Sequence, residues 1–443
     1  MSDTFVRVAR GADGGSTGIV AAMSGPVDAR PCCLVEAGYG IGDVIEATPA
    51  CHALWILGFD VDLLVNRPQA EDVATLFRGH AALRHVWTNP AEVDPTEYDF
   101  AVGCNGPAEI VRRMPRPVGF PVTVGDIARH GLLGANLSVA RALGYEGEPP
   151  PFPLNLGAAR SDIAPQTVVV HAGSDARRPF KRWPHWEALC DRIRALGHPV
   201  VIVGTDGDRS ANGWEWRHDA RFDLSLARLA SLLRDAHLYL GNDSGVGHLA
   251  GAVGTPGLLL FGPTDPLIYA PPSAALDVLD APARPGEGRH PFAPTFPSLD
   301  RLGFEEVLAA VTRRLEIPPR ATPGAIPMRR APPRGDPTLR CPTPAEIEAA
   351  PATFDALDAL ARRATVATVL GSIARRDDAA ALAAWRRAAT PAFGALQLRT
   401  AAVWSAQGTE FGRRRARTHL RLASQAGRPW RAFTRRVTLA LAR

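Results

Sequence analysis

Three short stretches of the sequence place polar and charged side chains where they could act on a proton or a phosphate. The first is GYGIGDVIEATPA (38–50), which follows an apolar run and opens a predicted helix. The dinucleotide-binding pattern G-x-G-x-x-G would place a glycine at position 43, but this chain has Asp43. The start of a helix favours an ionised carboxylate, so Asp43 is a candidate general base. The alternative is an aspartate that caps the helix and takes no part in chemistry.

The second stretch, LYLGNDSGVGHLAGAVGTPGLLLFGPTDP (238–266), predicts a strand, a polar loop, a helix, a second strand and a second polar loop. Backbone N–H groups at the start of that helix, around Ser244 and Gly245, form a site suited to a diphosphate. His248 follows one turn into the helix, on the face directed at such an anion. The alternative is an ordinary helix cap with a core histidine. Two polar loops flanking one β-α-β unit favour the anion site.

The third stretch, VVVHAGSDARRPFKRWPHWEAL (168–189), predicts a strand, a loop of small residues and a helix. Lys181 in this loop is the only lysine among the 50 lysines and arginines of the chain. An ammonium group is a compact charge that fits a phosphate oxygen, whereas a guanidinium group requires a wider fork. We interpret Lys181 as a phosphate ligand, the alternative being a solvent-exposed lysine retained by chance.

Short apolar runs alternate with helical patterns on both sides of a proline-rich segment that begins at Gly147. This alternation predicts an α/β protein with two parallel sheets, each covered by helices, and a ligand cleft beyond the carboxyl ends of the strands. Strands are predicted at 32–35, 61–65, 100–102, 167–171, 199–203, 238–241 and 257–261, and helices at 43–57, 70–77, 126–143, 184–196, 226–234, 246–253 and 304–315.

The composition of the 443-residue chain indicates two or three domains of a soluble protein. No apolar run approaches the roughly 18 residues of a membrane span, and the first residues lack the apolar core of a secretory signal. The six cysteines show no C-x-x-C pair, which predicts reduced thiols in a cytoplasmic protein and no metal site.

The domain order is predicted from shifts in composition along the chain. It comprises a loose leader (1–30), a Rossmann-like domain (31–146), an interdomain linker (147–166), a second Rossmann-like domain (167–315), a proline- and arginine-rich linker (316–343) and a basic helical module (344–443). Residues 341–443 hold 17 arginines and 7 acidic residues, whereas the whole chain has a net charge of +5. Three interpretations of these basic helices are packing on the body or another subunit, contact with an anionic membrane, and nucleic-acid binding, which no motif supports.

The blocks GIGDVIEATPACHAL, HAGSDARRPFKRWP and NDSGVGHLAGAVGTPGLLLFGPTDP resemble the signature blocks of glycosyltransferase family 9, the lipopolysaccharide heptosyltransferases, in order and spacing. The resemblance covers roughly residues 31–315. It implies the GT-B architecture, in which two facing Rossmann-like domains hold the active site between them. It also implies an inverting transfer from a nucleotide-diphosphate sugar, with ADP-heptose favoured, to a hydroxyl group. No D-x-D pair stands out as a metal site, so no cofactor or metal is expected.

The resemblance also assigns roles to individual positions. Asp43, in the acceptor-side loop with Gly40 and Gly42, matches the aspartate thought to be the general base. Lys181 matches a residue that stabilises charge on the leaving nucleotide. The donor-binding residues that it implies are Ser174, Lys181, Asp243, Ser244, Gly245, His248 and Thr264. The turn after a strand that contains Asp206 and Asp208 is interpreted as a contact to the ribose of the nucleotide.

Two departures leave the sugar specificity open. The chain has His171-Ala172-Gly173 where the family commonly has H-P-G, and Gly247 where Met or Ser is frequent. Other interpretations are a sugar-nucleotide epimerase or hydrolase on the same fold, and a non-catalytic nucleotide-sugar-binding protein. The acceptor is expected to be a glycan, a lipid-linked sugar or a protein, with peripheral contact to the inner membrane through the basic tail.

Overall fold

The structure of the protein is a computed structural model. It describes residues 30–106, 108–114, 119–121, 124–150, 154–156, 161–174, 179–208, 219–289, 295–316, 341–375 and 378–406, with isolated positions between 408 and 423. The predicted leader, nearly all of the linker 316–343 and most of the basic segment after residue 406 lie outside these residues.

The N-terminal domain is a five-stranded parallel sheet with the strand order β3-β2-β1-β4-β5. Every residue of its central strand is buried, because helices cover both faces of the sheet, and the strand is therefore a continuous run of small and apolar residues with one glutamate. The elements are β1 (Cys32–Gly38), α1 (Ile41–Ile56), β2 (Asp60–Asn66), α2 (Ala70–Thr75), β3 (His85–Trp87), β4 (Phe100–Cys104), α3 (Glu109–Arg113), β5 (Gly119–Pro121) and α4 (Val124–Ala142).

The C-terminal domain is a six-stranded parallel sheet with the order β11-β10-β9-β6-β7-β8, which is the Rossmann order. A single 3₁₀ turn, Pro179–Lys181, lies between β6 and the following helix. The elements are β6 (Val168–His171), α5 (Trp186–Ala195), β7 (Val200–Gly204), β8 (Asp219–Phe222), α6 (Leu226–Asp235), β9 (Leu238–Asn242), α7 (Gly245–Val253), β10 (Gly257–Phe261), α8 (Pro266–Tyr269), β11 (Leu276–Asp280) and α9 (Phe304–Leu315).

The two domains meet at their topological switch points. In each sheet the strand order reverses at a central pair, β1 with β4 and β6 with β9, and a crevice opens beyond the carboxyl ends of these strands. The first turns of α1 and α7 begin at these ends and pack together: a methyl group on Gly245 would lie 3.1 Å from Cβ of Ile41. One apolar core runs through both domains, and it includes Val44 and Leu54 from α1 and Leu249 from α7. The cleft is therefore bordered by two rigid helix starts.

Another contact between the domains joins the helices that follow β2 and β8. The carboxylate of Asp72, on α2, accepts a hydrogen bond from the backbone N–H of Leu226, at the start of α6, at 3.1 Å. Carboxylates stabilise the N-termini of helices, so the N-terminal domain supplies a cap to a helix of the C-terminal domain.

The helices after residue 343 pack on the N-terminal domain. They are α10 (Pro344–Ala349), α11 (Phe354–Ile373) and α12 (Ala379–Ala406). Val369 of α11 is fully buried in the main apolar core, together with Ile373. The described part of the predicted basic module is thus attached to the body of the protein. In the part of the chain that the structure describes, no helix combines the length and apolarity needed to cross a bilayer.

Four strands and two short helices of the two domains were missing from the elements predicted by sequence: β3, β5, β8, β11, α3 and α8. All four strands are short or lie at the edge of a sheet, and β8 and β11 are half-exposed, so none of them is a continuous apolar run. The predicted elements are all present, with bounds that differ by one to three residues.

Candidate active site

Asp43 is held on the N-terminal side of the cleft by contacts from two elements. Its carboxylate accepts a hydrogen bond from the backbone N–H of Gly40 at 2.7 Å and another from Nδ2 of Asn105, which follows β4. Burial raises the pKa of Asp43 to about 6, although these hydrogen bonds and the charge of His248 act in the opposite direction. Asp43 thus caps its own helix and is also a stronger base than an aspartate on the surface.

The register of the sheet brings further side chains to the same edge. Gly38 of β1 pairs with Asn66 of β2, so the residues that follow them, Tyr39 and Arg67, leave the sheet side by side. Tyr39 is 64% exposed and has a φ of 63°, in the left-handed region that a bulky residue rarely occupies. Burial lowers the pKa of the Arg67 guanidinium, and the nearby charge of Asp43 opposes that shift. Tyr39 and Arg67 therefore form the rim around Asp43.

Lys181, Asp243 and Thr264 form one buried cluster in the C-terminal domain. The ammonium group of Lys181 pairs with Oδ2 of Asp243, and the hydroxyl group of Thr264 donates to the same oxygen. All three residues are less than 9% exposed. The interpretation of Lys181 as a lysine on a solvated face is therefore wrong. Residues from three loops, after β6, β9 and β10, converge at this point.

Ser244 begins α7, but its side chain does not cap the helix. Its hydroxyl group instead lies 3.0 Å from Nδ1 of His171, at the end of β6. The neighbouring Ser174 provides a backbone carbonyl that accepts a hydrogen bond from Nη2 of Arg182 at 3.1 Å. The contact between Ser244 and His171 joins the end of β6 to the start of α7.

Asp208, one of two candidates for a ribose contact, is buried against the loop after β6. Nε2 of His171 lies 3.8 Å from its carboxylate, and the backbone N–H of Thr205 donates to it at 2.9 Å. Burial acts against ionisation, yet these neighbours lower the pKa of Asp208 to about 2. A methyl group on Gly173 would overlap this carboxylate, so that position requires glycine. Asp206, the other candidate, is exposed.

Asn242 is a fully buried residue that connects these loops. Its Oδ1 accepts from the backbone N–H of Trp183 at 3.3 Å and from Nε1 of Trp186 at 3.1 Å. Its Nδ2 donates to the carbonyl of Ala172 at 2.9 Å. Asn242 thereby fixes the segment that carries Lys181 against the ends of β6 and β9.

The two halves of the cleft touch through His248. Its Nδ1 lies 3.1 Å from Oε1 of Glu46, which is 2% exposed and belongs to α1 of the N-terminal domain. Burial disfavours the charged form of the ring. The negative charges of Glu46, Asp243 and Asp43 have a larger effect and raise the pKa of His248 above its ordinary value. Sequence reasoning missed Glu46, although its position one turn after Asp43 on a helix was a usable signal.

The structure thus brings most of the predicted site residues to one cleft, in two groups. Asp43, with Gly40 and Gly42, lies on the side of the N-terminal domain, and the Lys181 cluster and the start of α7 lie on the side of the C-terminal domain. Asn105, His171, Arg182 and Asn242 also join the site, and none of them had been assigned a role from the sequence. Their contributions depend on contacts between segments far apart in the chain.

Comparisons with known proteins agree with this architecture. Residues 142–286 match the model of glycosyltransferase family 9 (heptosyltransferase). Lipopolysaccharide heptosyltransferase 1 of Pseudomonas aeruginosa is 31% identical over 166 residues, which cover 33% of this chain and 43% of that protein. Lipopolysaccharide heptosyltransferase 3 of Escherichia coli is 33% identical over 107 residues, covering 22% and 32%. The chain spans less than half the length of these curated relatives.

A solved structure confirms the predicted fold. The crystal structure of a family 9 glycosyl transferase from Veillonella parvula covers 64% of this chain and 97% of its own, at 17% identity and a TM-score of 0.51. Likeness at this identity establishes the fold alone. The resemblance to family 9 and the GT-B architecture, both predicted from the sequence, are therefore confirmed.

The prediction that no metal is involved is corrected by another comparison. TibC from enterotoxigenic E. coli H10407, which covers 65% of this chain at 18% identity and a TM-score of 0.49, is described as an iron-containing dodecameric glycosyltransferase. The lack of a conspicuous D-x-D pair was a poor guide, because side chains outside that pattern can hold a metal. Within the described ranges, no group of three or more His, Cys, Asp and Glu side chains could hold a metal ion.

Proposed function

We propose that the protein is an inverting glycosyltransferase. The match of residues 142–286 to the model of glycosyltransferase family 9 supports this proposal. The protein transfers a sugar from a nucleotide-diphosphate sugar to a hydroxyl group of an acceptor. Heptose is the favoured sugar, since the curated relatives are heptosyltransferases, and ADP-heptose is the donor that the family resemblance implies.

The placement of Asp43 is the observation that carries this proposal. Its carboxylate lies at the carboxyl end of β1, in the acceptor half of the cleft, and its pKa is raised to about 6. Near neutral pH such a group is ionised and still basic enough to take a proton from a hydroxyl group as that group attacks. The acceptor oxygen forms its new bond to the anomeric carbon, the bond from that carbon to the diphosphate breaks, and Asp43 keeps the proton. Displacement from the opposite face inverts the anomeric centre.

The donor half supplies the positive charge that a departing diphosphate requires. Lys181 and the start of α7 stabilise the negative charge that develops on the leaving group. The ion pair of Lys181 with Asp243, whose carboxylate also accepts a hydrogen bond from Thr264, fixes the ammonium group before the donor binds, so little rearrangement is needed during the reaction. Carboxylate oxygens of Asp243 beyond these contacts are acceptors suited to sugar hydroxyl groups.

Asp43→Asn tests the role of the base. We expect transfer to fall by at least about 10²-fold, because the amide cannot accept the proton, while affinity for ADP measured by calorimetry stays within roughly a factor of two. Asp94→Asn is the matched control, because Asp94 also accepts from a backbone N–H in the N-terminal domain but is exposed. Unchanged turnover of Asp43→Asn would remove this residue from the mechanism. Donor consumption that is independent of any acceptor would indicate a hydrolase.

A thermal-shift panel of nucleotides and nucleotide sugars tests the donor class. Ligands that bind the folded state raise the melting temperature, and at equal concentration a tighter ligand raises it more. We expect ADP and ADP-sugars to stabilise the protein more than UDP, GDP and CDP species at equal concentration. Equal stabilisation by the nucleotides of all four bases would refute the preference for adenine but would agree with a site for the diphosphate.

Contact of the basic tail with an anionic membrane is a further part of this proposal. The arginine excess of residues 341–443 supports it, although most of the segment after residue 406 lies outside the described residues. Co-sedimentation of the full chain with anionic vesicles, and not with neutral ones, is the expected result.

A further inference from the structure

Glu46 and His248 are buried ionisable side chains from different domains, and they contact each other at 3.1 Å. They are 2% and 8% exposed and lie 202 residues apart in the chain. A buried carboxylate is costly unless a hydrogen-bonded partner of opposite charge accompanies it. Because the partner of Glu46 belongs to the other domain, that compensation exists only while the two domains are in contact.

The pair lies directly behind the proposed base. The ring of His248 fills the space over Gly42, where a methyl group would lie 2.6 Å from Cδ2 of the ring, and Asp43 is the next residue. The positive charge of His248 lowers the pKa of Asp43, and the negative charge of Glu46 raises it by a smaller amount. Other groups that face this centre are Asp243, beside His248, and Arg67, beside Asp43.

We propose that Glu46 and His248 form an interdomain latch that holds the cleft closed over the bound donor and keeps a positive charge beside Asp43 only in the closed arrangement. This inference rests on the proposed glycosyltransferase function, because it assigns the two residues as positioning residues for that reaction. In the open arrangement both groups lose their partner, and Asp43 loses the positive charge of His248. The latch thus couples donor binding to activation of the base.

Substitution of either member should change the pH dependence of transfer as well as the rate. His248→Asn removes the cation, so the acid limb of kcat/KM should move to higher pH by roughly half a unit or more. Glu46→Gln removes the counter-charge that is hydrogen-bonded to the buried ring of His248, so the ring becomes neutral. The acid limb of kcat/KM then also moves to higher pH, but by a smaller amount than in His248→Asn. Each variant should also lower kcat/KM for the donor by about 10-fold or more.

A double-mutant cycle and a matched control separate the latch from general packing. If the two side chains act as a pair, the double variant should lose much less than the product of the two single losses. Asp72→Asn is the control, since it weakens another contact between the domains, to Leu226, while the contact between Glu46 and His248 stays in place. It should leave the acid limb unmoved. Additive losses with an unmoved acid limb in both latch variants would overturn the proposal.

A second measurement does not depend on catalysis. In the full wild-type chain, imidazole ¹⁵N shifts assigned by comparison with His248→Asn should show a charged His248 ring at pH 7 with ADP bound. Small-angle scattering should show a more compact particle on addition of ADP, and this response should weaken in Glu46→Gln. A neutral ring, or equal compaction in both proteins, contradicts the latch. If the wild type transferred a sugar from none of the donors, the glycosyltransferase proposal would be refuted. The ¹⁵N shifts and the scattering would still test the latch, because neither depends on transfer.

Discussion

Gly42 and His248 are in contact across the cleft between the two domains, with the imidazole ring lying where a side chain at position 42 would project. A methyl group on Gly42 would lie 2.6 Å from Cδ2 of the ring, which is closer than carbon atoms approach without displacement. We therefore predict that Gly42→Ala forces α1 and α7 apart. Transfer should fall by about 10-fold or more, because small displacements of reacting groups cost large factors in rate.

Gly303→Ala is the control for this substitution. Gly303 lies at the N-terminal end of another helix, α9, and a methyl group there would meet nothing within 4 Å. Its kinetics should match the wild type. Equal kinetics of both alanine variants would show that the contact between Gly42 and His248 can relax without affecting the site.

The pKa of Asp43 predicts how activity depends on pH. Because the base must be ionised, kcat/KM should rise with pH through about 6 and level off above it. An acid limb near 4, where an ordinary aspartate titrates, would show that Asp43 is not the titrating base.

The same shift predicts a stability difference with a definite sign. The folded-state pKa of about 6 lies above the ordinary value of 3.8, so ionisation of Asp43 costs stability as the pH rises from about 4 to about 6. Asp43→Asn removes this cost. Its melting temperature relative to that of the wild type should be higher at pH 7.5 than at pH 4.5. A difference independent of pH would contradict the shift.

Lys181 should not be replaceable by arginine. The side chain is 8% exposed and pairs with Asp243, so the larger planar guanidinium group must displace its neighbours. We expect Lys181→Arg to weaken ADP binding by about 10-fold or more although the charge is retained, and Lys181→Ala to weaken it further. Isothermal calorimetry checks both. Affinity in the arginine variant equal to that of the wild type would show that charge alone matters at this position.

The attachment of the C-terminal helices predicts a change in stability. Val369→Asp places an unpaired charge in the main core and should lower the melting temperature of the full chain by about 5 °C or more. Ala359→Asp, at an exposed position of the same helix, is the control and should have little effect. Equal melting temperatures for the two variants would contradict the packing of α11 on the body.

The sequence alone determined the elements whose patterns are local. Buried parallel strands are continuous apolar runs, and helix starts carry capping residues, so the two α/β units, the helix start at Asp43 and the loop before α7 could be recognised without coordinates. Position 181 could also be recognised from the sequence, because Lys181 is the only lysine of the chain.

Tertiary structure alone decided which of these local features meet. The strands β8 and β11 are polar enough to be missed, since their place in the sheet comes from hydrogen bonds to a neighbouring strand rather than from an apolar pattern. The pairing of Glu46 with His248 and of Lys181 with Asp243 likewise depends on how two sheets and their loops are placed relative to each other. A sequence period records which face of an element is buried, but it does not record which distant segment covers that face.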